Sequence, residues 1–200
     1  MIINTTRFGQ IEFNSEDIFM FPEGLLGFQD LRQFILLDDP NDDIFAWLQS
    51  CELPSIAFPV LEPEIFGQYY NVSLSKNENE LLKLSATEKP TFMSIITIPD
   101  DPTQMTANVK APIAINMQLK IARQCVLQDN HLAIREPIFL KLQSRVVQNP
   151  NTSIKSMSTG LGFAVRINED KDNVIPFVKP AGATDGTANS TAKPDIDQSL

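Results

Sequence analysis

The stretch TANVKAPIAIN, residues 106–116, limits the fold of this chain more than any other. Ala107, Val109, Ala111, Ile113 and Ile115 alternate with Thr106, Asn108, Lys110, Pro112 and Asn116; only Ala114 breaks the polar set. A period of two predicts a strand with one buried face and one wet face. Pro112 conflicts with a central position, because proline has no N–H for the ladder. It belongs on edge strands, at bulges or at strand starts. The expectation is an edge or bulge at Pro112, with Lys110 and Pro112 blocking uncontrolled pairing while the inner face builds the core.

The rest of the first 143 residues reads the same way. Short apolar runs at 2–7, 10–13, 18–21, 33–37, 45–49, 55–60, 68–74, 92–98, 105–117, 123–128 and 131–135 are separated by turn clusters such as DDPNDD and PDDPT. Ser75 and Glu78 stand at capping-box spacing before NELLKL, which predicts one helix there, and 29–33 offers a further helical turn. The fold class expected is all-β: a small antiparallel barrel or sandwich with one or two short helices.

Composition shifts after Gln143. Residues 144–200 are rich in Asn, Ser, Thr, Ala, Gly and Pro, so the domain expected is 1–143 and the remainder a low-complexity, disordered extension. Two apolar islands interrupt it, LGFAVRI at 161–167 and NVIPFV at 173–178. They are either chance runs in a linker or short motifs that add a strand or cover an edge. The extension carries six basic and six acidic side chains, so the whole formal charge of -9 falls on 1–143. An acidic domain is a poor ligand for a nucleic-acid backbone or an anionic membrane surface. It suits a basic protein partner.

No stretch announces chemistry. FPEGLLGF, 21–28, has glycines but lacks the GK[ST] or G-x-G-x-x-G of a phosphate loop. It reads as a turn that folds Phe21, Leu25 and Phe28 back on the core. His131 is alone, and Cys51 and Cys125 form no C-x-x-C, so neither a catalytic base nor a metal set is indicated. The acid pairs Asp38/Asp39, Asp42/Asp43 and Asp100/Asp101 sit in polar turns, where solvated carboxylates are the norm. No leader and no membrane span is read, and a cytoplasmic protein is the expectation. Trp47, the only tryptophan, is either a core residue or an interface anchor.

The segments FPEGLLGFQDLRQFILL, FAWLQSCELPSIAFPVLEP, MSIITIPDD and MTANVKAPIAINMQLKIARQCVLQDNHLAIREPIF, in that order, resemble the flagellar assembly factor FliW family over nearly all of 1–143. His131 stands where the family pattern has tyrosine and Ala122 where it has glycine. The resemblance implies a small β-barrel without catalysis or cofactor. It implies a cytosolic chaperone that binds flagellin and also binds and antagonises CsrA, a basic RNA-binding repressor of flagellin translation, without itself touching nucleic acid. The contact residues expected are Asp100 and Asp101 on an exposed loop, Asn108, Lys110 and Pro112 on the wet face of the odd strand, and Trp47. The runners-up are a small-ligand barrel, which needs an apolar cavity, and a hydrolase built on clustered acids.

Overall fold

A computed structural model describes residues 1–70, 74–85 and 87–167. Its strands are β1 (Ile2–Thr5), β2 (Gly9–Glu12), β3 (Ile18–Met20), β4 (Gln33–Asp38), β5 (Ala46–Ser50), β6 (Ala57–Leu61), β7 (Thr91–Thr97), β8 (Thr106–Ala107), β9 (Ile113–Asn116), β10 (Ile121–Gln124), β11 (Glu136–Pro137) and β12 (Val165–Arg166). Two α-helices join them, α1 (Lys76–Leu81) and α2 (Phe139–Gln148). The fold is mainly β, as expected.

Among the described residues, seven strands close a barrel in the order β7-β6-β5-β4-β3-β10-β9, with β9 returning to β7. All pairs are antiparallel except β3 with β10. Closure removes the open edges that an isolated sheet must protect. Phe19, Phe34, Leu36, Leu48, Val60, Met93, Ile113 and Ile115 fill the interior. The outer face is buried too. The β1–β2 hairpin lays Ile3, Ile11 and Phe13 over Ile35, Leu37 and Trp47. Leu142 of α2 joins Phe45, Ile96, Ala107 and Val109. Leu82, at the end of α1, packs on Ala114 and Cys125. Alternate residues of β4 and β5 therefore serve different cores, which is why QFILLD and AWLQS read as nearly unbroken apolar runs.

Residues 106–116 do not form one edge strand. β8 pairs with β7 as Ala107↔Ile96, and β9 pairs with the same strand as Ile113↔Met93. Five residues, 108–112, thus lie opposite two, Ser94 and Ile95. This is a large bulge. It bends the chain so that Ala107 and Val109 enter the α2 cluster while Ile113 and Ile115 enter the barrel. Pro112 is buried at its end, directly before β9. Of the two expected alternatives the bulge holds and the edge is corrected: the proline ends a bulge beside a central strand. Asn116 is buried as well, its amide donating to the Leu82 carbonyl at 3.1 Å.

Other boundaries shift. Gln68–Tyr70 and Leu74 lie outside any strand, with 71–73 outside the described residues. Residues 131–135 are a turn before β11. The expected boundary at 143/144 falls within α2, and packed structure continues to Ile167. The NVIPFV island and the rest of 168–200 lie outside the described residues.

Candidate functional site

The two segments most specific to the resemblance, GLLGF and TANVKAPIAIN, meet at one barrel mouth. Phe21 and Leu25 are fully buried there and Phe28 stacks edge-on against Phe58 at 5.3 Å, so the loop plugs the barrel as the sequence predicts. Leu25 and Phe28 exchange backbone bonds of 3.3 and 2.8 Å across a tight turn. Gly24 has φ +67°, and a Cβ there would lie 2.6 Å from the carbonyl oxygens of Phe28 and Gln29. Only glycine meets both demands. The turn leaves Leu26 56% exposed at its tip, an apolar side chain on a rigid loop.

Gln124 of β10 joins the two segments. Its Oε1 accepts from the Leu26 N–H at 3.0 Å and its Nε2 donates to the Ala111 carbonyl at 3.0 Å. Next to it, Arg123 pairs with Glu23 at 3.2 Å. The bulge is held internally by Asn108 Oδ1, which accepts from the Ala111 N–H at 2.9 Å. Lys110 Nζ donates to the Asp129 carbonyl at 2.6 Å. The Pro112 carbonyl accepts from Cys125 N–H at 2.9 Å. Sequence reasoning names Asn108, Lys110 and Pro112 but misses Gln124 and Leu26. A glutamine in a polar-flanked strand gives no local signal of its two distant partners.

Asp100 and Asp101 are exposed, in the connection that leads from β7 to β8. They differ in duty. The Asp101 carboxylate accepts from Thr103 Oγ1 at 2.7 Å, Thr103 N–H at 3.0 Å and Gln104 Nε2 at 3.2 Å. The side-chain and backbone bonds from Thr103 hold its carboxyl below the ordinary carboxylate range. Trp47 belongs elsewhere. It is 5% exposed in the cluster under the β1–β2 hairpin, with Phe8 edge-on at 5.6 Å and the Arg7 guanidinium 3.8 Å above its ring. The structure therefore brings Asn108, Lys110 and Pro112 into one bulge, buries Pro112, and places Trp47 in a core.

Asp39, Asp42 and Asp101 build turns, whereas Asp38 departs from the expected solvated turn: it ends β4 and pairs with Lys155 at 2.5 Å. Asp42 Oδ1 accepts from the Ile44 and Phe45 N–H groups, each at 2.9 Å, and its Oδ2 accepts from Trp47 Nε1 at 3.0 Å. Asp39 Oδ1 accepts from the Asn41 N–H at 2.9 Å. Burial first, and the nearby Glu52 second, push the Cys51 thiol up to about 12. Burial and then Glu78 do the same for Cys125. Both thiols stay protonated at neutral pH and are poor nucleophiles. An open groove of about 970 Å³ runs beside α1, but Glu62, Glu64, Glu80, Glu88, Lys76 and Lys89 line much of it. It is not the enclosed apolar cavity of a small-ligand barrel.

A family model described as FliW protein matches residues 2–138. A flagellar assembly factor FliW from Bdellovibrio bacteriovorus is 63% identical over 172 residues, covering 86% of this chain and 98% of that relative. Another, from Thermoanaerobacter pseudethanolicus, is 36% identical over 145 residues, covering 72% of this chain and 97% of the relative. The crystal structure of a flagellar assembly factor FliW aligns with a TM-score of 0.64 at 30% identity, over 70% of this chain and 97% of that one.

Proposed function

Because the chain belongs to the FliW family, we propose that it is a flagellar assembly factor acting through protein contacts alone, binding flagellin as a cytoplasmic chaperone and binding CsrA to relieve repression of flagellin translation. The observation that carries this reading is the charge. The formal -9 is confined to residues 1–143, opposite in sign to a basic RNA-binding partner. The filled barrel interior supports recognition by the outside of the fold. The contact surface proposed includes Asp100 and Asp101 together with Asn108 and Lys110 of the bulge. Pro112 sets the shape of that bulge from within, and Trp47 sets the shape of its own core.

Titration calorimetry of the full chain with purified CsrA and with purified flagellin tests this. Each should bind, flagellin should displace CsrA, and CsrA affinity should fall as salt shortens the Debye length below about 8 Å. Asp100→Lys should slow CsrA association while leaving the melt unchanged, since Asp100 is exposed. Absence of binding to either protein would remove the reading. An unchanged on-rate for Asp100→Lys would remove this loop from the surface.

A further inference from the structure

The second barrel mouth is closed by residues 153–167, beyond the 2–138 span matched by the family model. Asp38 ends β4, Glu62 follows β6, Met93 lies near the start of β7 and Met117 follows β9, so all four belong to this mouth. The strap is held there by polar contacts. Lys155, 6% exposed, pairs with Asp38 at 2.5 Å and also donates to the Asp39 carbonyl. Glu62, 8% exposed, turns Oε1 into the strap, where Ser158 Oγ, Thr159 Oγ1 and Gly160 N–H donate to it at 2.8, 2.9 and 2.7 Å. Leu161 and Ala164 rest on the barrel core. β12 then lies parallel to β4 as Val165↔Leu37 and Arg166↔Asp38, beyond the point where β3 stops at Ile35. The LGFAVRI island adds a strand to an edge.

This is the chemistry of a recognition site more than of a permanent plug. A buried carboxylate–ammonium pair is weak evidence for stability, because apolar groups of the same volume close a core at least as well. A strand edge offered beside two carboxylates reads a lysine, a run of donors and an extended backbone together. The strap's apolar side chains divide: Ile154 is 2% exposed in the α2 cluster and Val165 and Ile167 pack under the β1–β2 hairpin, while Met157 is 40% and Phe163 38% exposed.

We propose that residues 153–167 are the resident occupant of a docking surface formed by Asp38, Glu62 and the stretch of β4 edge that β12 covers, and that this surface accepts in exchange an extended partner segment presenting a lysine and backbone donors. The proposal does not depend on which protein supplies that segment.

A labelled peptide with the sequence of residues 152–167 serves as the probe, and fluorescence anisotropy reports its binding to the full chain. Lys155→Ala combined with Gly160→Val should loosen the strap, since a Cβ at 160 would lie 2.3 Å from the Met93 methyl and 3.2 Å from Glu62 Oε1. The loosened protein should bind the peptide at least tenfold more tightly than the wild type. Adding Asp38→Asn to it should abolish that gain. In the wild type, the Gly160 and Ile167 amides should exchange through a local opening, faster than those of Leu48 and Leu36 in the barrel ladder. Equal peptide binding by loosened and wild-type proteins overturns the proposal. So does strap protection equal to that of the ladder, or loss of a cooperative melt on loosening, because the segment would then be an inseparable part of the core.

Discussion

At the scale of single residues, Pro112 and Gly24 carry the most information. Proline at 112 avoids placing a backbone N–H in a buried bulge. Pro112→Val introduces that donor, frees φ and leaves no open edge to become sticky. The expected result is a monomer destabilised by about 1–2 kcal/mol, from the cost of an unmet buried donor. Denaturant melts and light scattering at matched concentrations check both halves, and self-association with an unchanged melt would restore the edge-strand explanation. Gly24→Ala meets carbonyl oxygens at 2.6 Å and a positive φ together. Its cost should exceed about 2 kcal/mol, while Gly27→Ala, whose Cβ faces open space at φ +85°, should cost less. Both glycines stand in one sequence motif, and only the backbone geometry ranks them.

At the scale of elements, α1 shows local sequence deciding local structure. Ser75 Oγ accepts from the Glu78 N–H at 3.3 Å and Glu78 Oε2 accepts from the Ser75 N–H at 2.8 Å, the capping box that the spacing predicts. Partial burial pushes the Glu78 carboxyl up, but the side-chain and backbone bonds from Ser75 outweigh it and the net direction is down from 4.5. A carboxyl depressed in the folded state stabilises at neutral pH, and the gain is lost as pH falls below 4.5 through the folded value. Ser75→Ala should cost about 1 kcal/mol at pH 7. That penalty should persist in acid melts, because the bond from the Glu78 N–H to Ser75 Oγ does not titrate. The penalty of Glu78→Gln should instead shrink as pH falls, since the lost group is the carboxylate that accepts the Ser75 N–H; a Glu78→Gln penalty independent of pH would show that this carboxylate does not hold the helix. The strand 105–117 behaves in the opposite way. Its alternation is genuine, yet its two halves face different cores because five residues stand opposite two.

At the scale of the whole molecule, the chain is a filled barrel closed at one mouth by the 21–28 loop and at the other by 153–167. A truncation after Gln143 cuts α2 in the middle and removes Arg145, whose Nε donates to the Ile65 carbonyl at 3.0 Å. A truncation after Pro150 keeps α2 whole and removes the strap. The shorter piece should melt at a lower temperature and with less cooperativity than the longer one, as differential scanning calorimetry would read. Matching melts would make 1–143 a self-sufficient unit after all.

The sequence by itself determined the class of fold, the approximate place of most strands, the α1 cap, the inward turn of Phe21, Leu25 and Phe28, and the family. These rest on period, spacing and turn chemistry, which act over a few residues and are written locally. It also placed the net charge. Only the tertiary structure decided that Pro112 closes a bulge and that Trp47 is core. It alone joined GLLGF to the bulge through Gln124, and it alone showed that Lys155 and Gly160 belong to the folded body. Each of those facts depends on a partner far away along the chain: Gln124 reaches Leu26 across 98 positions and Gly160 reaches Glu62 across another 98. Polar residues satisfied at such a distance look, in sequence, like solvated ones. The strap therefore reads as part of a tail, because its hydroxyls and glycines match the composition of disorder until Glu62 and Asp38 supply their partners.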